Sequence, residues 1–334
     1  MLVSTHSSLY LIGKNMKSGI LQILNLTICV LAISLCITCQ RIDDLKYGQN
    51  YYPPDGKIHV FIGQSSYGAY LDAQFPKPWG ISINTGLYDN AKIDLGGGRK
   101  YNSLGEFLRA PEAPIPFLKV YLDNSKLEPI VAGEMDSLLR ALSEQLKAFE
   151  KPVFLSLGIE VNNPMYRIQP KNYIQAYRYI VTFMKNSRIK NTSFIWPIVG
   201  LVPRWESYTD PMAYFPGYAY VNWIGLTMHS ILPEHFPEEE GTYFKAPNYD
   251  RIVEISNEQK IPIIICESSP RSVYALFKHS GQELWNDWYQ PFLKFLKKPN
   301  VKAFSHTISN WKDEFILSKW RHEMEKEKYL HANQ

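Results

Sequence analysis

Two carboxylates stand where apolar runs stop. Glu160 lies in "FLSLGIEVNNP" and Glu267 in "PIIICESSP". Each run reads as a strand buried on both faces, and an ionised side chain has no cheap place beside one. Two carboxylates brought close cannot both ionise freely, so one holds a proton and the other its charge. Such a pair suits the cleavage of a glycosidic bond. One carboxylic acid protonates the leaving oxygen, and one carboxylate attacks the anomeric carbon.

Whether the two can meet depends on the elements that carry them. Short apolar runs recur along the chain: "KIHVFIG" (57–63), "WGISINTG" (79–86), "FLKVYL" (117–122), "PVFLSLG" (152–158), "TSFIWPIVG" (192–200), "NWIGLTM" (222–228), "PIIIC" (262–266) and "VKAFSHTIS" (301–309). Most are β-branched or aromatic and bounded by Pro, Gly or Asn, which predicts eight strands. Between them, 134–150, 172–186, 249–260 and 283–298 show helical spacing, with Leu138, Leu139, Leu142, Leu146 and Phe149 on one face of the first. The stretch "LGGGRKYNSLGEFLRAPEAP" reads as a long loop with one short helix. Strands alternating with helices imply parallel pairing through right-handed crossovers. The fold class is therefore α/β, a single-domain (β/α)8 TIM barrel. A doubly wound open sheet is the alternative, but "GQSSYGAY" after the first strand lacks its phosphate-turn spacing.

A barrel places its chemistry at the C-terminal ends of its strands. Glu160 then follows strand four and Glu267 is the first residue past strand seven, so their ends approach across the mouth. Other polar residues share that edge: Gln64 after strand one, Asn84 late in strand two, His229 after strand six, and Asn310 with Trp311 after strand eight. Trp196, Trp205, Tyr208 and Trp311 offer flat faces on which a sugar could stack.

The chain has 334 residues, 45% hydrophobic and 20% charged, which is globular composition. A net charge of +4 without a dense basic cluster argues against nucleic acid as a partner. No His, Cys or Asp grouping has metal-ligand spacing, His235 and His306 being isolated, so neither metal nor cofactor is expected. A basic start at Lys17, the uncharged stretch 18–40 and small polar residues at its end have signal-peptide architecture. A retained anchor, tethering the chain to a membrane, is the alternative. Cys29, Cys36 and Cys39 lie in that segment, and Cys36 or Cys39 offers a lipoprotein attachment site. Only Cys266 remains beyond it, which leaves no intramolecular disulfide. The expected organisation is a signal peptide or anchor (1–40), a linker (41–56), the barrel (57–325) and a polar tail (326–334). The product is expected to be exported, whether secreted, periplasmic or membrane-anchored, and to act as a monomer.

Several stretches, in order, resemble glycoside hydrolase family 26, the β-mannanase family of the retaining (β/α)8 glycosidases. They are "FIGQSSYGAYLDA", "PVFLSLGIEVNNPM", "YIQAYRYIVTFMKNSRIKNTSFIW", "YFPGYAYVNWIGLTMHS", "KIPIIICESSP" and "VKAFSHTISNW", spanning about residues 57 to 311. The resemblance implies that Glu160 is the acid/base, Glu267 the nucleophile and Trp311 the aromatic floor of the sugar subsite. It also exposes departures. Met228 stands where the family carries a tyrosine that orients the nucleophile, Met165 where it carries a tryptophan, and Ile159 where mannanases carry a histidine. His229 is the neighbouring group that could supply a polar contact in place of that tyrosine.

The leading expectation is an exported retaining glycoside hydrolase acting by double displacement on a β-linked, mannan-like poly- or oligosaccharide. The thinned helper residues leave two alternatives open. One is a carbohydrate-binding barrel without efficient turnover. The other is a membrane-tethered partner in polysaccharide export.

Overall fold

Near-continuous runs of Ile, Val, Leu and Phe can satisfy their backbone only in a sheet, and their side chains only if both faces are covered. The computed structural model describes residues 47–87, 92–96, 98–200, 210–229, 247–270, 280–307 and 313–331. Its strands are β1 (Ile58–Gly63), β2 (Gly80–Thr85), β3 (Ile93–Asp94), β4 (Lys100–Tyr101), β5 (Ile115–Val120), β6 (Val153–Leu157), β7 (Thr192–Val199), β8 (Trp223–His229), β9 (Ile263–Ser269), β10 (Val301–His306) and β11 (Tyr329–Leu330). Strands β1, β2, β5, β6, β7, β8, β9 and β10 pair in that order, all parallel, and β10 pairs back to β1. The ring closes as a (β/α)8 barrel made of the eight expected runs.

The helices are α1 (Gln64–Asp72), α2 (Leu104–Arg109), α3 (Asn124–Val131), α4 (Asp136–Phe149), α5 (Pro170–Asn186), α6 (Pro247–Gln259), α7 (Gly281–Leu284), α8 (Gln290–Phe295) and α9 (Glu314–Met324). A π-helical turn, Trp285–Tyr289, joins α7 to α8. Helix α4 buries Leu139, Leu142, Leu146 and Phe149 on the stripe its spacing predicts. Helices α1, α3 and α9 were not legible as periodic segments: α1 mixes Ser, Gly and Tyr, and α3 carries Pro129 inside it. The long loop after β2 contains the predicted short helix, α2, capped by Ser103, and also the β3–β4 hairpin.

Side-chain alternation along the strands divides the core in two. Ile58, Val60, Ile62, Leu155, Leu157, Trp196, Ile198, Met228 and Ile265 face the helices. Phe61, Phe117, Phe154, Ile195, Trp223, Ile264, Cys266 and Ala303 fill the barrel interior. Space inside is tight: a Cβ on Gly225 would lie 2.4 Å from the Cys266 Sγ.

Two boundaries differ from the sequence reading. The segment expected as a linker is packed from Tyr47 onward. Trp223 Nε1 donates to the Asn50 carbonyl at 2.7 Å, His59 Nε2 contacts the Tyr51 carbonyl at 3.1 Å, and Tyr51 packs against the inner cluster. His59 in turn stacks on Trp79 with ring centroids 3.7 Å apart. These residues form the barrel floor, because an open end of apolar strands must be covered. The expected polar tail contains β11, which pairs with the start of β1. There Tyr329 is fully buried against Phe304, and its hydroxyl donates to Glu323 Oε1 at 2.9 Å.

Tyr329→Ala is therefore expected to cost about 3–5 kcal/mol of unfolding free energy, read by urea denaturation. Burial also holds His59 down to about 4 and His306 to about 3, from an ordinary 6.5. The unfolded chain then binds protons that the folded one refuses, so stability is whole above pH ~6.5 and falls as pH drops towards 4. A His59→Asn variant should show a flatter decline across that window in urea titrations at stepped pH.

Candidate active site

The loop after β6 is bound to the next strand. Gly158 has φ +100°, and a Cβ there would sit 2.7 Å from Val161 Cγ1, so the turn requires glycine. Asn162, buried, accepts from the Val199 backbone N–H at 2.8 Å and donates to its carbonyl at 3.0 Å. Between them Glu160 takes φ +45°, a left-handed conformation that costs a non-glycine residue of the order of 1 kcal/mol or more. The loop's bonds hold it there. Its side chain lies 8% exposed, and Asn163 Nδ2 donates to Glu160 Oε2 at 2.8 Å.

Glu267 reaches the interior by a different device. It lies within β9 rather than past its end, since pairing continues to Ser269 opposite His229. Strict alternation would send Glu267 outwards, because Ile264 and Cys266 face inwards. The register breaks at this point: Leu226 pairs with Ile265, but Thr227 pairs with Glu267. Cys266 is thus the extra residue of a β-bulge, which re-aims the side chain that follows it.

What meets Glu267 is Lys119. Its Nζ donates to Glu267 Oε2 at 3.1 Å, with the two side chains 6% and 17% exposed. Lys119 is in phase with Phe117 on β5 and so points inside, one layer above that ring. Around it the upper inner face is polar: Ser82 accepts a 2.7 Å bond from Ser305, Ser156 is buried, and exposed Asn84 pairs in register with Lys119. An ammonium at this distance stabilises a carboxylate on Glu267.

The neighbours register the same charges. Burial pushes the Cys266 thiol up, Lys119 pulls it down, and Glu267 and Glu160 each push it up again. The Tyr249 phenol is raised by burial first and by Glu160 second. All three charges therefore act on Cys266, inside the barrel, while Glu160 alone reaches Tyr249 on the helix side. Exposed Tyr121, Met165 and Tyr166 lie on the rim, directly after β5 and in the β6 loop. Among the described residues, no cluster of His, Cys, Asp and Glu could hold a metal ion.

The other sequence candidates fall elsewhere. Trp196 is fully buried on the helix side of β7, with Phe215 at 5.1 Å, so it has no face for a sugar. It alternates with Ile195, which took the inward position. His229 closes β8, and its side chain lies outside the described residues, as do Trp205, Tyr208, Asn310 and Trp311. Met228 faces the helices and is fully buried, so position 228 offers nothing to the mouth. Lys119 was missed. Its signal was present, a lysine inside "FLKVYL" at the spacing of an inward residue.

No protein-family model matches the sequence. Among curated proteins, the chain is 24% identical over 293 residues to β-1,3-xylanase TXYA of Vibrio sp., covering 80% of this chain and 59% of that one. It is 22% identical over 294 residues to a β-1,3-xylanase of Alcaligenes sp., covering 80% and 58%. It thus spans under two thirds of the length of these curated relatives. Among solved structures, a modular endo-β-1,4-mannanase of Cellulomonas fimi superposes with TM-score 0.60 at 14% identity, over 83% of this chain and 72% of that one. The family 26 β-mannanase of Bacteroides ovatus gives 0.55 at 11%, over 84% and 91%. GH26C of Muricauda sp. gives 0.56 at 13%, over 83% and 88%. In its barrel, and in the order of its strand-end motifs, the chain resembles glycoside hydrolase family 26.

Proposed function

We propose that the chain is a retaining β-glycan hydrolase with Glu267 as nucleophile and Glu160 as acid/base. The observation that carries this reading is the contrast between two glutamates at one inner mouth. Glu267 is paired with an ammonium, whereas Glu160 is buried beside an amide donor. The ammonium favours a charge on Glu267, and burial raises the cost of a charge on Glu160, which separates the two roles. The curated relatives, both β-1,3-xylanases, and the mannanase neighbours support β-linked polysaccharide as the substrate class.

In the first step a Glu267 oxygen bonds to the anomeric carbon as the glycosidic C–O bond breaks, and the leaving oxygen takes the Glu160 proton. In the second, Glu160 takes a proton from water, the water oxygen bonds to the anomeric carbon, and the bond to Glu267 breaks. The sugar leaves with its configuration retained and Glu160 is reprotonated. Tyr121 and Tyr166 on the rim suit stacking on sugar faces. Export is part of the proposal and rests on the uncharged stretch 18–40, which lies outside the described residues.

The test is reducing-sugar release from β-1,3-xylan, β-1,4-mannan and mixed-linkage β-glucan, with the anomer of the first product followed by NMR. Wild type should release sugar from at least one glycan with retention. Glu267→Gln should lower kcat/KM by about 10³-fold or more. Glu160→Gln should lower it by about 10²–10⁴-fold, and less on substrates whose leaving group needs no proton. Binding without release across the panel would leave a carbohydrate-binding barrel instead.

A further inference from the structure

We propose that Lys119 is the positioning residue of Glu267: its ammonium holds the carboxylate aimed and charged, and so leaves the transferable proton of the site to Glu160. This deepens the two-glutamate reading above and rests on it.

A lysine 5% exposed in the middle of a barrel is a costly choice. Stability does not explain it, because buried ion pairs can commonly be replaced by well-packed apolar residues without loss. Nor is the pair an accident of one flexible side chain. Lys119 is inward by the alternation of β5, with Phe117 below it, and Glu267 is inward because of the bulge at Cys266. Two separate backbone devices bring the groups to 3.1 Å. Met228, one residue on, is turned to the helices, and Thr227, in register with Glu267 on β8, carries no charge.

The ammonium acts differently in each half of the reaction. In the free enzyme Lys119 and ionised Glu267 neutralise each other, and the proton stays on Glu160, ready for the leaving oxygen. Once Glu267 is bonded to the sugar its charge is gone, and the Lys119 ammonium is left uncompensated. That favours the deprotonated form of Glu160, the base the second step needs. It also favours departure of Glu267 as a carboxylate. One fixed positive charge thus serves both halves without moving.

The test compares wild type, Lys119→Met and Lys119→Arg by two readouts. The first needs no substrate: carboxyl ¹³C NMR of protein labelled at glutamate Cδ, with the Glu267 signal assigned by Glu267→Gln. In Lys119→Met the Glu267 midpoint should rise by about one to three pH units, and Lys119→Arg should bring it back towards wild type. The second is the pH profile of kcat/KM on whichever glycan of the panel wild type cleaves. Its acidic limb should rise with the midpoint in Lys119→Met, and kcat should fall on the order of 100-fold with a smaller change in KM. A merely structural lysine would lower the melting temperature and leave the limb in place. An unmoved Glu267 midpoint overturns the proposal, as does a moved midpoint with an unmoved limb. If wild type cleaves nothing while the midpoint still rises in Lys119→Met, the ion pair stands, but the hydrolase reading and the role of Lys119 in it fall together. Should Lys119→Met not fold, Lys119→Gln against Lys119→Arg makes the same comparison.

Discussion

A ring of parallel strands sends every second side chain into a space that has only two openings. All else in this barrel follows from how that space is filled. Its lower part is aromatic, with Phe117, Phe61, Phe154 and Trp223 touching in sequence, and the floor is closed by His59, Trp79 and Tyr51. Its upper part is polar, with Ser82, Lys119, Ser156, Thr227 and Ser305 buried and Glu267 half-buried. Charges set on an apolar plug feel one another strongly, because little water intervenes on that side. They can still meet a ligand through the open end.

Within that space, direction is decided by backbone irregularity. Glu160 leaves its strand end in a left-handed conformation, and Glu267 is turned inwards by a bulge. Neither conformation is the relaxed one for its element, and each is held by neighbours: the Asn162 bonds to Val199 in one case, and the β8 and β10 ladders in the other. Such irregularities cluster where a side chain must be aimed rather than packed. The ladders from β10 through β1, β2, β5, β6 and β7 to β8 run in unbroken register, whereas β10 shifts against β9 both beside the bulge and between Val301 and Ala303.

Much of this was legible beforehand, for a physical reason. Strands buried on both faces must be apolar throughout, so runs such as "PVFLSLG" and "PIIIC" announce themselves. Helix α4 does the same through its period. The failures concern direction and coverage. Trp196 and Ile195 are equally apolar, and only the phase of β7 decides that the tryptophan packs on helices. Residues 47–56 and 326–331 look polar or irregular, yet their backbone carbonyls and a buried tyrosine are what the barrel end requires. Lys119 was passed over because a single charge in a strand reads as noise until its inward phase is known.

The chain by itself determined the number and order of the strands, the helices of clear period, and the two glutamates at strands four and seven. Those depend on local composition and periodicity, which are written residue by residue. Only the tertiary structure decided what faces what. The bulge that turns Glu267 inwards, the lysine waiting for it, and the loop that buries Glu160 all depend on pairing register between strands far apart in sequence. Lys119 and Glu267 are separated by 148 residues and meet at 3.1 Å. A closed ring puts them there, because its alternation assigns every side chain to one face or the other.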